Sequence, residues 1–356
     1  MAGYDYGNAR IKAMKSHLLS ARQIESLAEA GSIRGLISAL VKTAYHQEIE
    51  AALVHTSGIN CIETALRENL TNTLGKTRRF YNGHAGQAVS MVLRRYDLHN
   101  LKSILRGLAK NIAPDEILRT VLPVNELTLD ILQELARAAN VRTAVDILAT
   151  LNLPLALPIL WLRAQRPNAE ISHMELALEQ WYYQQCEQFL ESASRDEPIL
   201  AAWLKIQADL ANLNTVLRCA SATEEREALQ EWLESEDLGA FFLGPGYLPL
   251  DLLIQASQQD TLEAAVETLA GTAYQDTLRN ALRTFNRSGR LSVFEQDLRR
   301  YYSSWTTKQG LGDPLGIGVL LSYLALKTNE VRDIRWIAQG VHLGFDLRDI
   351  KEELET

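Results

Sequence analysis

The segment from Arg94 to Arg106 reads R-R-Y-D-L-H-N-L-K-S-I-L-R, and recognisable copies of it return twice. The second copy, Asp209 to Arg218, reads D-L-A-N-L-N-T-V-L-R, and a third, more diverged copy runs from Glu330 to Gln339 as E-V-R-D-I-R-W-I-A-Q. Aligned on the central polar residue, Asn100, Asn212 and Asp333 fall 112 and 121 positions apart. A chain of 356 residues therefore divides into three such units, which constrains the fold more than any other feature.

What survives the copying is an apolar stripe at helical spacing. Leu98, Leu101, Ile104, Leu105 and Leu108 form it in the first copy; Leu210, Leu213, Val216 and Leu217 in the second; Val331, Ile334 and Ile337 in the third. The acid that opens each copy, Asp97, Asp209 or Glu330, lies within the stripe rather than opposite it. A carboxylate placed there is buried and requires donors, because an unpaired buried charge is prohibitively costly. The reading from residues alone is that each acid accepts hydrogen bonds from a neighbouring helix or, for Asp97, from Arg94 one turn back. The alternative is a contact with a partner. Asn100, Asn212 and Asp333 flank the stripe and carry the same two readings.

A second segment keeps the period. Thr43-Ala44-Tyr45 reappears as Thr272-Ala273-Tyr274, 229 positions later, close to two repeats. Around these markers, helical spacing of apolar residues recurs along the whole chain, and runs of β-branched alternation are nearly absent. Short helices are expected before and after Ser20, a candidate N-cap, and a longer one from Glu48 to Phe80 with Gly58 and Gly75 as candidate breaks. The fold expected is all-α: three similar helical-bundle domains at residues 1–112, 113–224 and 225–356, with boundaries good to about 10 residues. The repeat is too long for helical solenoids, whose periods are about 33 to 47 residues. Three like domains can pack around a pseudo-threefold axis.

Composition excludes several function classes. Hydrophobic residues make up 47% and charged residues 22%, enough to build real cores. Cys61, Cys186 and Cys219 are odd in number and far apart, so neither a disulfide framework nor a C-x-x-C metal pair is expected, and a reducing compartment follows. The N-terminal residues, with Asp5, Arg10 and Lys12, do not read as a secretory signal. The longest apolar runs, Leu151 to Leu162 and Gly316 to Leu326, span 12 and 11 residues, short of the roughly 20 needed to cross a bilayer.

No catalytic, cofactor-binding or metal-binding constellation emerges. The seven histidines form no H-x-x-x-H or H-E-x-x-H pair, and no nucleophile elbow, phosphate loop or dinucleotide fingerprint is present. The expectation is a non-enzyme with no cofactor. Net charge is −8, distributed as +7 over residues 1–112 and −15 over residues 113–356. The basic excess centres on Arg78, Arg79, Arg94, Arg95, Lys102 and Arg106, a candidate contact face for a protein, for nucleic acid or for anionic lipid.

Two of these segments carry a family resemblance. Y-D-Y-G-N-A-R-I-K-A at Tyr4 to Ala13, followed by Leu18-Leu19, together with R-R-Y-D-L-H-N-L-K-S-I-L-R, resembles the C subunit of the prokaryotic V-type (A-type) ATPases, the counterpart of the vacuolar d subunit. The third copy departs from the pattern, with Glu330 for Asp, Asp333 for Asn and Gln339 for the closing Arg. The resemblance implies a funnel of three similar helical domains and a non-catalytic rotor part on the cytoplasmic side of the membrane. Its partners would be the membrane proteolipid rotor ring and the central-shaft subunits, with no nucleic acid and no inserted segment. The other function classes left open are a helical adaptor or scaffold and a basic-surface nucleic-acid or lipid binder.

Overall fold

Ser20 and Gln23 cap a helix reciprocally: the Gln23 amide donates to Ser20 Oγ (3.4 Å), and the Ser20 amide donates to Gln23 Oε1 (2.9 Å). Side-chain caps of this kind recur at Ser32, Thr128, Asn140 and Thr261. They satisfy donors that the first helical turn leaves open. The computed structural model describes residues 3–192, 197–222, 227, 231 and 238–354. The expected boundary at 224/225 lies outside them. Among the described residues there are 18 α-helices and no strands.

The helices are α1 (Asp5–Lys15), α2 (Ala21–Ala28), α3 (Ile33–Leu40), α4 (His46–Leu53), α5 (Ile59–Arg78), α6 (Gly83–Ala109), α7 (Pro114–Leu118), α8 (Leu129–Ala136) and α9 (Val141–Thr150). There follow α10 (Leu157–Gln165), α11 (Ile171–Ser192), α12 (Pro198–Ser221), α13 (Leu250–Ser257), α14 (Leu262–Thr268), α15 (Gln275–Ser288), α16 (Ser292–Gly312), α17 (Gly318–Leu343) and α18 (Leu347–Glu352). The helix expected from Glu48 to Phe80 is two helices. The chain breaks at Gly58, whose φ is +60°, but runs unbroken through Gly75. None of the helices is long and apolar enough to cross a membrane, among the described residues.

The three signature segments lie on the long helices α6, α12 and α17. A second repeated element became visible only in the structure: a two-helix hairpin, formed by α2–α3, α8–α9 and α13–α14. Counted from Leu19, Leu127 and Leu248, the three hairpins bury the same positions: Ile24, Leu132 and Leu253; Leu27, Leu135 and Ala256; Leu36, Ala144 and Ala265; Leu40, Leu148 and Leu269. Their second-helix caps, Ser32, Asn140 and Thr261, also coincide. The spacing between hairpins is 108 and 121 residues, against 112 and 121 for the signature.

Each signature helix packs on the hairpin that follows it in the chain. Helix α6 meets α8 and α9, and α12 meets α13 and α14. Helix α17 has no later hairpin and packs on the first, α2 and α3, as well as on α1 and α5. The described parts of Met1–Ile171 with Thr307–Thr356 form one compact unit, and Ser172–Thr306 forms another. In the second unit, Leu213, Val216 and Leu217 of α12 interdigitate with Leu253, Ala265, Leu269, Leu278 and Phe294 in one core. Dense packing of this kind leaves little room for any side chain to deform.

The N-terminal motif is a clasp within the first unit. Gly7 lies against the Tyr81 ring so closely that a Cβ there would overlap it. Tyr81 Oη donates to Asn8 Oδ1 (2.9 Å), Asn8 Nδ2 donates to the Gly316 carbonyl (3.0 Å), and Tyr4 meets the Tyr81 ring edge-on with centroids 5.8 Å apart. Tyr4, Gly7 and Asn8 thus seat α1 against both segments of the unit, at Tyr81 and at Gly316. Cys61, Cys186 and Cys219 are buried and form no disulfide among the described residues.

Candidate functional site

A loop that leads tightly into a helix N-cap carries backbone N–H groups that no helical carbonyl reaches. The signature acids meet that need. Asp97 accepts Asn125 Nδ2 (2.7 Å), the Glu126 amide (3.2 Å) and the Leu127 amide (3.1 Å), just ahead of α8. Asp209 accepts the Tyr247 amide (3.0 Å), the Leu248 amide (3.1 Å) and Tyr274 Oη (2.8 Å), ahead of α13. Glu330 accepts the Leu19 amide (2.5 Å), Tyr45 Oη (2.6 Å) and Lys327 Nζ (2.7 Å), ahead of α2. The acids are 0%, 0% and 3% exposed, so each is a buried latch between a signature helix and the next hairpin.

The latches differ in detail. Tyr45 and Tyr274, from the recurring Thr-Ala-Tyr segment, are the hydroxyl donors in two of them, and each has its own amide hydrogen-bonded to the preceding threonine Oγ1. Leu153 occupies the corresponding hairpin position in the middle copy, and Asn125 supplies the third donor there. At the position matching Asn125, the last copy has Gly246, where a Cβ would overlap the Asp209 carboxylate. Lys327 adds a buried cation to the third latch, its Nζ 4.4 Å from the centroid of the Tyr45 ring.

Burial raises the Asp97 carboxyl to about 6 despite the opposing hydrogen bonds from Leu127, Asn125 and Glu126. Asp209 is raised for the same first reason, against donors from Leu248, Tyr274 and Tyr247. Tyr45 is held well above the usual phenol range, by burial first and then by the Glu330 charge.

The flanking amides form a second set of contacts. Asn100 gives Nδ2 to the Leu122 carbonyl and takes the Leu122 amide on Oδ1, both at 2.7 Å. Asn212 does the same with Leu243, again at 2.7 Å in both directions. Each side chain thereby mimics a peptide group opposite a loop. Asp333, buried at the third position, has no amide hydrogen to give, so it cannot make this two-way pairing.

One expectation is corrected by these distances. Backbone amides ahead of the hairpin helices are the donors common to all three acids, and the donors to Asp97 are Asn125, Glu126 and Leu127, while Arg94 Nη2 pairs with Glu126, at 2.5 Å. Arg78 Nε likewise turns to the same loop, donating to Asn125 Oδ1 at 3.1 Å. Arg79 is exposed.

Arg95 enters a different environment, a groove of about 740 Å³ in the first unit. Helix α5 brings Arg67 and Glu63 to it, α6 brings Arg95, Tyr96 and His99, the loop after α7 brings Arg119 and Thr120, and α17 brings Arg335. Burial, followed by the charges of Lys102 and Arg106, lowers the His99 pKa against the pull of the Thr120 carbonyl. Of the basic residues named from sequence, Arg78 and Arg94 turn to the Asp97 latch loop and Arg95 lines this groove, while Arg79, Lys102 and Arg106 are not among the groove's lining residues. Sequence reasoning missed Arg67, Arg119 and Arg335 because they come from separate elements with no common spacing. Among the described residues, no group of three or more His, Cys, Asp or Glu is placed to hold a metal ion.

Residues 7–353 match the family of ATP synthase (C/AC39) subunits. The chain belongs to that family. It is 26% identical over 354 residues to the C subunit of the A-type ATP synthase of Methanosarcina acetivorans, covering 99% of this chain and 93% of the relative. Against the same subunit of the Methanocaldococcus jannaschii A-type ATP synthase it is 22% identical over 343 residues, covering 96% and 83%. Against that of Halobacterium salinarum it is 26% identical over 361 residues, covering 99% and 97%. The matched span, residues 7–353, includes the three latch acids Asp97, Asp209 and Glu330. Within the ATP synthase C/AC39 family this chain is a non-catalytic component of a rotary ATPase.

Proposed function

We propose that this chain is the central-stalk rotor part that couples the central shaft of a V/A-type rotary ATPase to the membrane proteolipid ring. It would sit on the cytoplasmic side, peripheral to the membrane, and pass torque between ATP turnover and proton or sodium translocation. The arrangement proposed is three like modules around a pseudo-threefold axis, forming a funnel. The observation that carries the reading is the set of latches. Every signature helix is tied by a buried acid to the next hairpin, and the last is tied back to the first through Glu330 and Leu19. A part that transmits torque between two partners must not yield internally. Buried charge-assisted hydrogen bonds at each junction, set in dense apolar packing, serve that need.

On this reading the acids Asp97, Asp209 and Glu330, with Asn100 and Asn212, are architectural, and partner contact falls to exposed residues. The test is a mild-detergent pull-down on the tagged full chain with identification of every co-purifying protein. Ring and shaft subunits are expected in the eluate. Their absence from a well-folded, fully recovered chain would sink the proposal and favour a soluble helical adaptor.

A further inference from the structure

We infer that the arginine-lined groove of the first unit is the docking site for an acidic segment of another protein in the assembly. The inference rests on the proposed rotor role and supplies the chemistry of one partner contact. Arg67, Arg95, Arg119 and Arg335 all face the groove, and among the described residues Glu63 is the one carboxylate lining it. Glu63 is already engaged, its Oε2 lying 2.8 Å from Arg335 Nε. Among the described residues, the side chains of Arg67 and Arg119 have neither an ion-pair nor a hydrogen-bond partner. These two guanidiniums therefore leave a net positive demand in a concave space.

Why a protein carboxylate? Guanidinium forks match carboxylates in two parallel hydrogen bonds, and an Arg cluster is a recurrent recogniser of acidic segments. Leu70 and Leu122 also line the groove, giving apolar wall for the stem of a peptide between its charged groups. The chain as a whole carries −8, so a local basic groove is not a by-product of overall charge. The arginines are contributed by α5, α6, α17 and the loop after α7, so the groove exists only when these elements are packed together.

Two measurements on the assembled complex test this. First, Asn60, an exposed residue on the groove wall, is replaced with a photo-reactive phenylalanine derivative, and the cross-linked peptide is identified by mass spectrometry. The expected product is a segment of a different protein of the complex, bearing two or more Asp or Glu. Cross-links confined to lipid, to a second copy of this chain, or to a neutral segment would overturn the inference. Second, the double variant Arg67→Glu and Arg119→Glu should weaken retention in the complex by about tenfold at physiological salt, with its own melting transition unchanged, since neither side chain has a partner to lose. Introducing Lys at the cross-linked acids should restore retention. Unchanged retention of the double variant would overturn the inference, while failure of the wild-type chain to assemble at all would overturn the rotor reading on which it rests.

Discussion

The Glu330 carboxylate accepts the backbone amide of Leu19, 311 positions away in sequence. Lys327 Nζ, 2.7 Å from the same carboxylate and 2.9 Å from Tyr45 Oη, completes a buried triad that ties the last signature helix to the first hairpin. Removing one member leaves the others charged or unsatisfied in a buried site. Glu330→Gln should cost about 3–5 kcal/mol, as for other buried pairs broken on one side. Combining it with Lys327→Met should recover part of that loss. Urea denaturation of both variants measures this, and purely additive costs would contradict the triad.

Asp97 gives the fold a pH dependence of defined sign. Its carboxyl is raised by burial from 3.8 to about 6 in the folded chain. The folded state therefore binds this proton more tightly than the unfolded state. The stabilising contribution is complete below about pH 3.8 and is lost as pH rises through about 6, amounting to about 3 kcal/mol between those limits. The stability of the wild type relative to Asp97→Asn should decline across this window and stay level above it. Denaturant titrations at several pH values provide the readout, and a difference that rises with pH would reverse the assignment.

Two glycines should respond in opposite directions. Gly246 is packed against Asp209, and a Cβ there would overlap the carboxylate. Gly246→Ala is expected to destabilise by about 1–3 kcal/mol through overpacking and a displaced latch. Gly75 lies inside α5 with open space around its Cα and no positive φ. Gly75→Ala should stabilise by about 0.5–1 kcal/mol. Thermal melts of the two variants should shift to either side of the wild type.

Asn100 and Asn212 work by giving and taking one hydrogen bond each. Replacement of either by Asp keeps the acceptor but removes the donor, turning a carboxylate oxygen toward the Leu122 or Leu243 carbonyl. Asn212→Asp should therefore cost about 1–3 kcal/mol, close to the cost of Asn212→Ala. Hydrogen exchange at the Leu243 amide distinguishes the two: it should remain protected in the Asp variant and become exposed to exchange in the Ala variant.

The all-α class, the signature helices, the Ser20 cap and the burial of Asp97, Asp209 and Glu330 were legible in sequence because each depends on residues within a few helical turns. Helical spacing places Leu98, Leu101 and Leu105 on one stripe with Asp97, and the stripe must be buried. The hairpin repeat was harder to see, since its common positions are Leu, Ile and Ala that many helices share. The Thr-Ala-Tyr recurrence marked the period without disclosing that Tyr45 and Tyr274 donate to the acids.

What the chain alone determined was that three acids must lie buried on three similar helices, because that follows from local periodicity. Which groups satisfy them was decided by the tertiary structure. Arg94, one turn from Asp97, was the nearest candidate by sequence, yet it pairs with Glu126 while loop amides 29 and 30 positions away reach the carboxylate. The basic groove has the same origin. Arg67, Arg95, Arg119 and Arg335 are ordinary surface residues on separate elements until packing of α5, α6 and α17 brings their charges around one hollow. Helical periodicity is a local property, whereas hydrogen-bond satisfaction and charge convergence depend on which distant segments share a space.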